Sequence, residues 1–195
     1  MPNDRRCFDQ TRRNIFFLAA GRRGNGTEGL CCRNAAFTRR GRGGVGGGLC
    51  QLANLLYWMA LHTPLRVAER HHHSFDPFPD ENRVLPFGSG AGIFYNYIDL
   101  RFFNPTDLTF QIRVWLTENH LKGTIYSDRE TPHAYHIFER NHHFLVESGR
   151  NYRENEIWRS VVDRRTGETI AEELLVKNFS EVKYKLNFVP QECNV

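Results

Sequence analysis

The chain has 195 residues, of which 40% are apolar, 25% charged and 13% aromatic. That is the composition of an ordinary soluble protein, long enough for one domain with a proper hydrophobic core. Its net charge of +4 is unevenly spread: residues 1–44 hold ten Arg against Asp4, Asp9 and Glu28. The basic character belongs to that arm, so a nucleic-acid partner is not expected for the body of the protein, although the arm can touch an anionic polymer.

Five cysteines, Cys7, Cys31, Cys32, Cys50 and Cys193, are an odd number and include no C-x-x-C pair. They suggest neither a disulfide framework nor a zinc site. The apolar run Ile15–Ala20 covers six residues. It is too short to span a membrane and falls short of a convincing export signal.

Residues 1–43 carry Arg pairs and scattered Gly without a clear period, and are expected to be an irregular or atypical segment. Order begins at Gly46-Gly47-Gly48. Leu52, Leu55, Leu56 and Met59 then follow at helical spacing, predicting an amphipathic helix over about 50–62 that Thr63-Pro64 ends. Residues 65–70 read as a strand, the Pro- and Asp-rich stretch 75–92 as a loop, and 93–102 as a strong strand. Asn104-Pro105-Thr106-Asp107 is a turn. Three hairpins are predicted, from 109–116 with 121–127, 135–139 with 143–147, and 157–163 with 168–176. The expected fold is α+β, one main helix packed on a mostly antiparallel sheet, in a domain of residues 44–190.

Cys50 stands at the first turn of the predicted helix, directly after three glycines. Glycines let a ligand approach the backbone closely. A helix start offers unpaired N–H groups and a partial positive charge, which favour a thiolate and can hold an oxyanion. This suits a thiol nucleophile for acyl transfer, although cysteine is also a common core residue. A base can come from His71, His72 or His73, with Asp99 orienting the imidazole. Arg70 and Arg101 can bind a carboxylate, or can equally be surface charges paired with Glu69 or Asp99. The histidines, with His142 and His143, allow a metal reading, but neighbouring strand residues point to opposite faces, so three consecutive ones do not share an ion.

Gly46-Gly47-Gly48-Leu49-Cys50-Gln51-Leu52-Ala53-Asn54-Leu55-Leu56-Tyr57-Trp58 resembles the signature of the VanW family. So do Glu69-Arg70-His71-His72-His73-Ser74 and Ile98-Asp99-Leu100-Arg101-Phe102 with Asn104-Pro105-Thr106 after it. The resemblance runs over roughly residues 44–185. It implies a cell-envelope setting linked to glycopeptide resistance, and L,D-transpeptidation of peptidoglycan stem peptides through the motif cysteine. It makes Cys50 the nucleophile, prefers His73 over His71 as the base, and leaves Asp99 as the third catalytic residue. Gly48, Gln51, Arg70, His71, Ser74 and Arg101 are then expected to bind substrate, with no metal and no cofactor. The alternative is a non-catalytic module that binds a cell-wall precursor or polymer.

Overall fold

The computed structural model of the chain describes residues 14–17, 48–77, 79–80, 84–93, 98–187 and 191–192. In chain order the elements are β1 (Asn14–Phe17), α1 (Leu49–Leu61), β2 (Arg66–Glu69), β3 (Phe75–Asp76), β4 (Leu100–Phe103), β5 (Phe110–Leu116), β6 (Leu121–Ser127), β7 (His133–Glu147), β8 (Arg150–Asp163), β9 (Thr169–Val182) and β10 (Gln191–Glu192). They fall into two compact units. The first holds residues up to Ala60, Pro64–His71 and Gly90–Arg129; the second holds Leu61–Thr63, His72–Ser89 and the chain from Glu130 onward.

In the first unit, β4 lies between β1 and β2, antiparallel to both. Leu100 and Phe102, on one face of β4, are fully buried, as strand alternation requires of a half-covered sheet. Each such large apolar side chain contributes about 1.5–3 kcal/mol when withdrawn from water. The β2–β4 register shifts between Val67 and Glu69. β5 and β6 form a separate hairpin. The turn before it is built by Asn104, whose side chain accepts the Thr106 N–H at 3.0 Å and donates to the Leu108 carbonyl at 2.7 Å. Helix α1 buries Ala53, Leu56, Tyr57 and Ala60. That stripe is rotated by one residue from the predicted Leu52, Leu55, Leu56 and Met59, with Leu56 common to both and the small Ala53 and Ala60 on the buried face.

The second unit is a five-stranded sheet ordered β10-β7-β8-β9-β3. Its three long central strands are antiparallel, while both edge strands pair in parallel. Ser148 and Gly149, with φ of 51° and 72°, make the two-residue turn between β7 and β8, a type that needs positive φ at both positions. Asp163 builds the β8–β9 turn by accepting the N–H groups of Arg165 and Thr166.

Among the described residues an α+β arrangement rich in antiparallel hairpins is thus observed, with a short helix and three separate sheets in place of one. The predicted hairpins 109–127 and 157–176 form, the latter with longer strands. The predicted 135–147 hairpin does not. Those residues run on as the single strand β7, which absorbs Asn141 (φ 54°) as an irregularity between Arg140 and His143. Within residues 1–43 only β1 is described, so the rest of the expected irregular segment lies outside the described residues, as do residues 94–97 of the predicted strand 93–102.

Candidate functional site

Helix α1 opens with the Leu52 N–H donating to the Gly48 carbonyl at 3.0 Å. Gly48 is therefore the last residue before the helical turn, and Cys50 sits within that turn with its thiol side exposed. The first turn contains no acidic residue, so no carboxylate competes there for the helix-start N–H groups. Gln51 is exposed beside it.

At the end of β2 the central group is Glu69. Its carboxylate accepts from Arg101 Nη1 at 3.2 Å and pairs with His71 Nε2 at 3.3 Å. The backbone N–H of Asp99 donates to it as well. The Arg101 hydrogen bond, above all, holds the Glu69 carboxyl below its ordinary range against the opposing effect of burial. Because a carboxylate accepts, His71 Nε2 is the donor in this pair. The His71 carbonyl receives the Gly92 N–H at 2.7 Å, which fixes the backbone at this point. Of the predicted site residues, this arrangement joins His71, Asp99 and Arg101, with Asp99 contributing its backbone.

Arg70 points elsewhere. Its Nε donates to the Gly90 carbonyl at 2.8 Å, and its guanidinium lies 4.7 Å from the centre of the Tyr57 ring. Burial lowers the Arg70 pKa and raises that of Tyr57. The Asn54 side chain accepts the Ala91 N–H at 2.7 Å, and a Cβ on Gly90 would come within 2.8 Å of that same oxygen. Glycine at position 90 therefore lets this segment approach α1 closely.

His72, His73 and Ser74 belong to the second unit and are exposed. His72 Nδ1 is 2.8 Å from the His73 carbonyl, and the His73 ring lies 6.1 Å from that of Phe75. Among the described residues no three His, Cys, Asp or Glu side chains stand together as a metal site would need. His142 is engaged by Arg153 Nε at 2.9 Å, and His143 by the Asn141 carbonyl at 2.8 Å. A surface hollow in the second unit, lined by Glu130, Thr131, Pro132, Asp163, Arg164 and Arg165, contains none of the predicted site residues. No helix among the described residues is long and apolar enough to cross a membrane.

A polar core in the second unit escaped the sequence reading. Arg153 is 2% exposed and bonds Asp76 at 3.1 Å and Asp80 at 2.8 and 2.7 Å. Its guanidinium is flanked by the rings of Phe87, at 4.5 Å, and Phe144, at 5.0 Å. Tyr184 donates to Asp76 at 2.9 Å; burial first, then this bond to a carboxylate, pushes its pKa up to about 12. Next along the face, Asn155 bonds Glu139, the Phe87 carbonyl and Asn178. Arg159 then holds Glu173 and the Thr63 carbonyl. The signal was present as parity, since Arg153, Asn155 and Arg159 alternate in step with the buried Ile157 and Val161.

The family described as VanW like protein matches residues 28–126 of this chain. A curated relative, the vancomycin B-type resistance protein VanW of Enterococcus faecalis (strain ATCC 700802 / V583), is 35% identical over 159 residues. The match takes in 82% of this chain and 56% of the relative, so the chain spans little more than half of that protein's length. No solved structure matches significantly.

Proposed function

The chain belongs to the VanW family, and on that footing we propose that it works in the bacterial cell envelope, in the setting of glycopeptide resistance, as a cysteine-dependent L,D-transpeptidase of peptidoglycan stem peptides. The observation that carries the chemistry is the exposed Cys50 thiol in the first turn of α1, with no acidic neighbour in that turn. A helix start favours a thiolate and offers N–H groups to an oxyanion.

In this reaction the Cys50 sulfur attacks the carbonyl carbon that precedes the terminal D-alanine of a tetrapeptide stem. A histidine of the His71–His73 run takes the thiol proton and passes it to the departing D-alanine nitrogen, leaving a thioester. The amine of a second stem then attacks the thioester, its proton goes to the same histidine, and the thiolate departs. Gly48, Gln51, Arg70 and Arg101, which share the first unit with Cys50, supply the surroundings of the stem peptide, with Arg101 held by Glu69. Asp99 acts beside the base.

The test uses the chain with Cys7, Cys31, Cys32 and Cys193 changed to Ser, incubated with a stem tetrapeptide and followed by mass spectrometry. Release of D-alanine with a protein-bound acyl adduct, both abolished by Cys50→Ala, is the expected result. Tetrapeptide left intact by a folded protein refutes it. A second reading, a non-catalytic module for a wall polymer, is favoured by Trp115 and Tyr126, exposed on β5 and β6 at 46% and 50%. Under that reading Cys50→Ala leaves binding to isolated cell wall unchanged.

A further inference from the structure

We infer that the outward face of the β5–β6 hairpin binds a carboxylate-bearing glycan strand, with sugar rings stacked on Trp115 and Tyr126 and acidic groups paired with Arg113 and Lys122. This rests on the cell-envelope setting proposed above and deepens the wall-polymer reading. It stands whether or not Cys50 is a nucleophile.

The register of the hairpin decides which side chains share this face. Successive residues of a strand point to opposite sides. Phe110, Ile112 and Val114 therefore share a side with their β6 partners Ser127, Ile125 and Gly123. That side is turned to α1, since Phe110 is buried and a Cβ on Gly123 would lie 2.6 Å from the Met59 sulfur. The opposite side carries three rows: Gln111 with Tyr126, Arg113 with Thr124, and Trp115 with Lys122. All of these are exposed except the half-buried Thr124. Among the described residues no third strand joins β5 or β6, so the face is open along both edges.

Its chemistry is that of a sugar-binding surface. Trp115 and Tyr126 are 46% and 50% exposed and stand at opposite ends. Their rows are four residues apart, about 14 Å at about 3.4 Å per residue, the reach of a short run of linked sugars. The electron-rich face of an aromatic ring attracts the C–H-lined face of a pyranose. The three rows contain no acid, and among the described residues neither Arg113 nor Lys122 has an ion-pair partner. The face therefore carries two uncompensated positive charges, which draw in an anion, and a guanidinium grips a carboxylate through paired hydrogen bonds. The sheet of the second unit differs. There Arg140 lies 4.8 and 4.9 Å from the ring centres of Phe138 and Trp158 and pairs with Glu172, so its charge and those rings are already engaged. Among the described residues no cation covers Trp115 or Tyr126.

A lipid surface fits this face less well. Between the two rings lie Gln111, Arg113 and Thr124, hydrogen-bonding groups suited to hydroxyls, and they interrupt any continuous apolar patch. The exposed Val114 and Leu116 lie on the other side of the hairpin.

The test is calorimetric titration of the full chain with soluble peptidoglycan glycan strands freed of their peptides, whose lactyl groups carry free carboxylates. Trp115→Ala and Tyr126→Ala are each expected to weaken binding by at least about 5-fold, and Trp115→Phe, which keeps a ring, to recover part of it. Arg113→Gln with Lys122→Gln is expected to weaken binding by a similar factor. It should also remove most of the loss that the parent chain suffers between about 0.05 and about 0.5 M salt, because exposed charges are screened over that range. These two positions carry the test should Trp115→Ala fail to fold by circular dichroism. Phe179→Ala, at an exposed aromatic of the second unit, should leave binding unchanged. The inference is overturned if both aromatic variants bind as the parent does, if an uncharged chito-oligosaccharide binds as tightly as the acidic strand, or if phosphatidylglycerol vesicles retain the chain while glycan strands do not. Binding to isolated cell wall that survives every hairpin change overturns this surface and leaves the wall-polymer reading standing. A folded chain that binds no wall material overturns both.

Discussion

Replacing Arg153 with Met should destabilise the second unit by about 3–5 kcal/mol, the penalty for leaving a buried charge without its partner. The size follows from which acid is stranded. Asp80 retains 45% of its side-chain exposure, so water replaces the lost bond at a cost of about 1 kcal/mol or less. Asp76 is 2% exposed and loses the Arg153 guanidinium while retaining the Tyr184 hydroxyl, a neutral donor. Methionine retains most of the apolar stem between Phe87 and Phe144, so packing loss is the smaller part. The assay is urea unfolding followed by tryptophan fluorescence, Trp158 lying on β8 within this unit. Asp76→Asn alone leaves Arg153 paired with Asp80, and about 1–2 kcal/mol is expected from the weakened bonds. The double variant should be more stable than Arg153→Met, because the uncompensated charge is gone. An Arg153→Met loss under about 1 kcal/mol, or strict additivity of the two changes, refutes the reasoning.

Two other predictions concern the same unit. Burial, and then the neighbouring Arg153 guanidinium, lower the His142 pKa, while Glu139 and Asp80 oppose them and His143 adds to them. The folded state thus binds its proton later than the unfolded chain does, so stability should fall as pH drops through about 6.5 and level off below the folded value. Unfolding midpoints between pH 8 and 5 should show this slope, and His142→Gln should flatten it. Gly88 has φ 73° and a Cβ there would lie 2.2 Å from the Asn178 side chain. Gly88→Ala should therefore destabilise by more than about 1 kcal/mol. Asn178→Ala in the same chain should relieve the clash and leave the backbone strain; full recovery would show that the positive φ carries no cost.

Much of the fold was legible because its signals are local. The i, i+3, i+4 spacing after Gly48 announces α1, Thr63-Pro64 ends it, and Asn104-Pro105 announces the turn before β5. The pairings of 109–116 with 121–127 and of 157–163 with 168–176 follow from short turns between alternating strands. The 135–147 stretch was misread because Asn141-His142 looks like a turn in isolation. Only the continuous ladder with β8, from His133↔Asp163 to Glu147↔Arg150, keeps it extended through the irregularity.

Glu69 and Arg153 show where local reading stops. Glu69 sits in the same Glu-Arg-His run that singled out His71, but its hold on His71 depends on β4 bringing Arg101 and Asp99 beside β2. Arg153 meets Asp76 across 77 positions of chain, and no periodicity encodes such a meeting. By itself the sequence determined the family, the helix start that presents Cys50, and the strand-rich character of the rest, since these depend on residue type and short-range spacing. Tertiary structure alone decided which residues hydrogen-bond one another, the division into two units and the parallel edge strands. These depend on which distant segments meet, and that is settled by burial of the whole chain, not by any window along it.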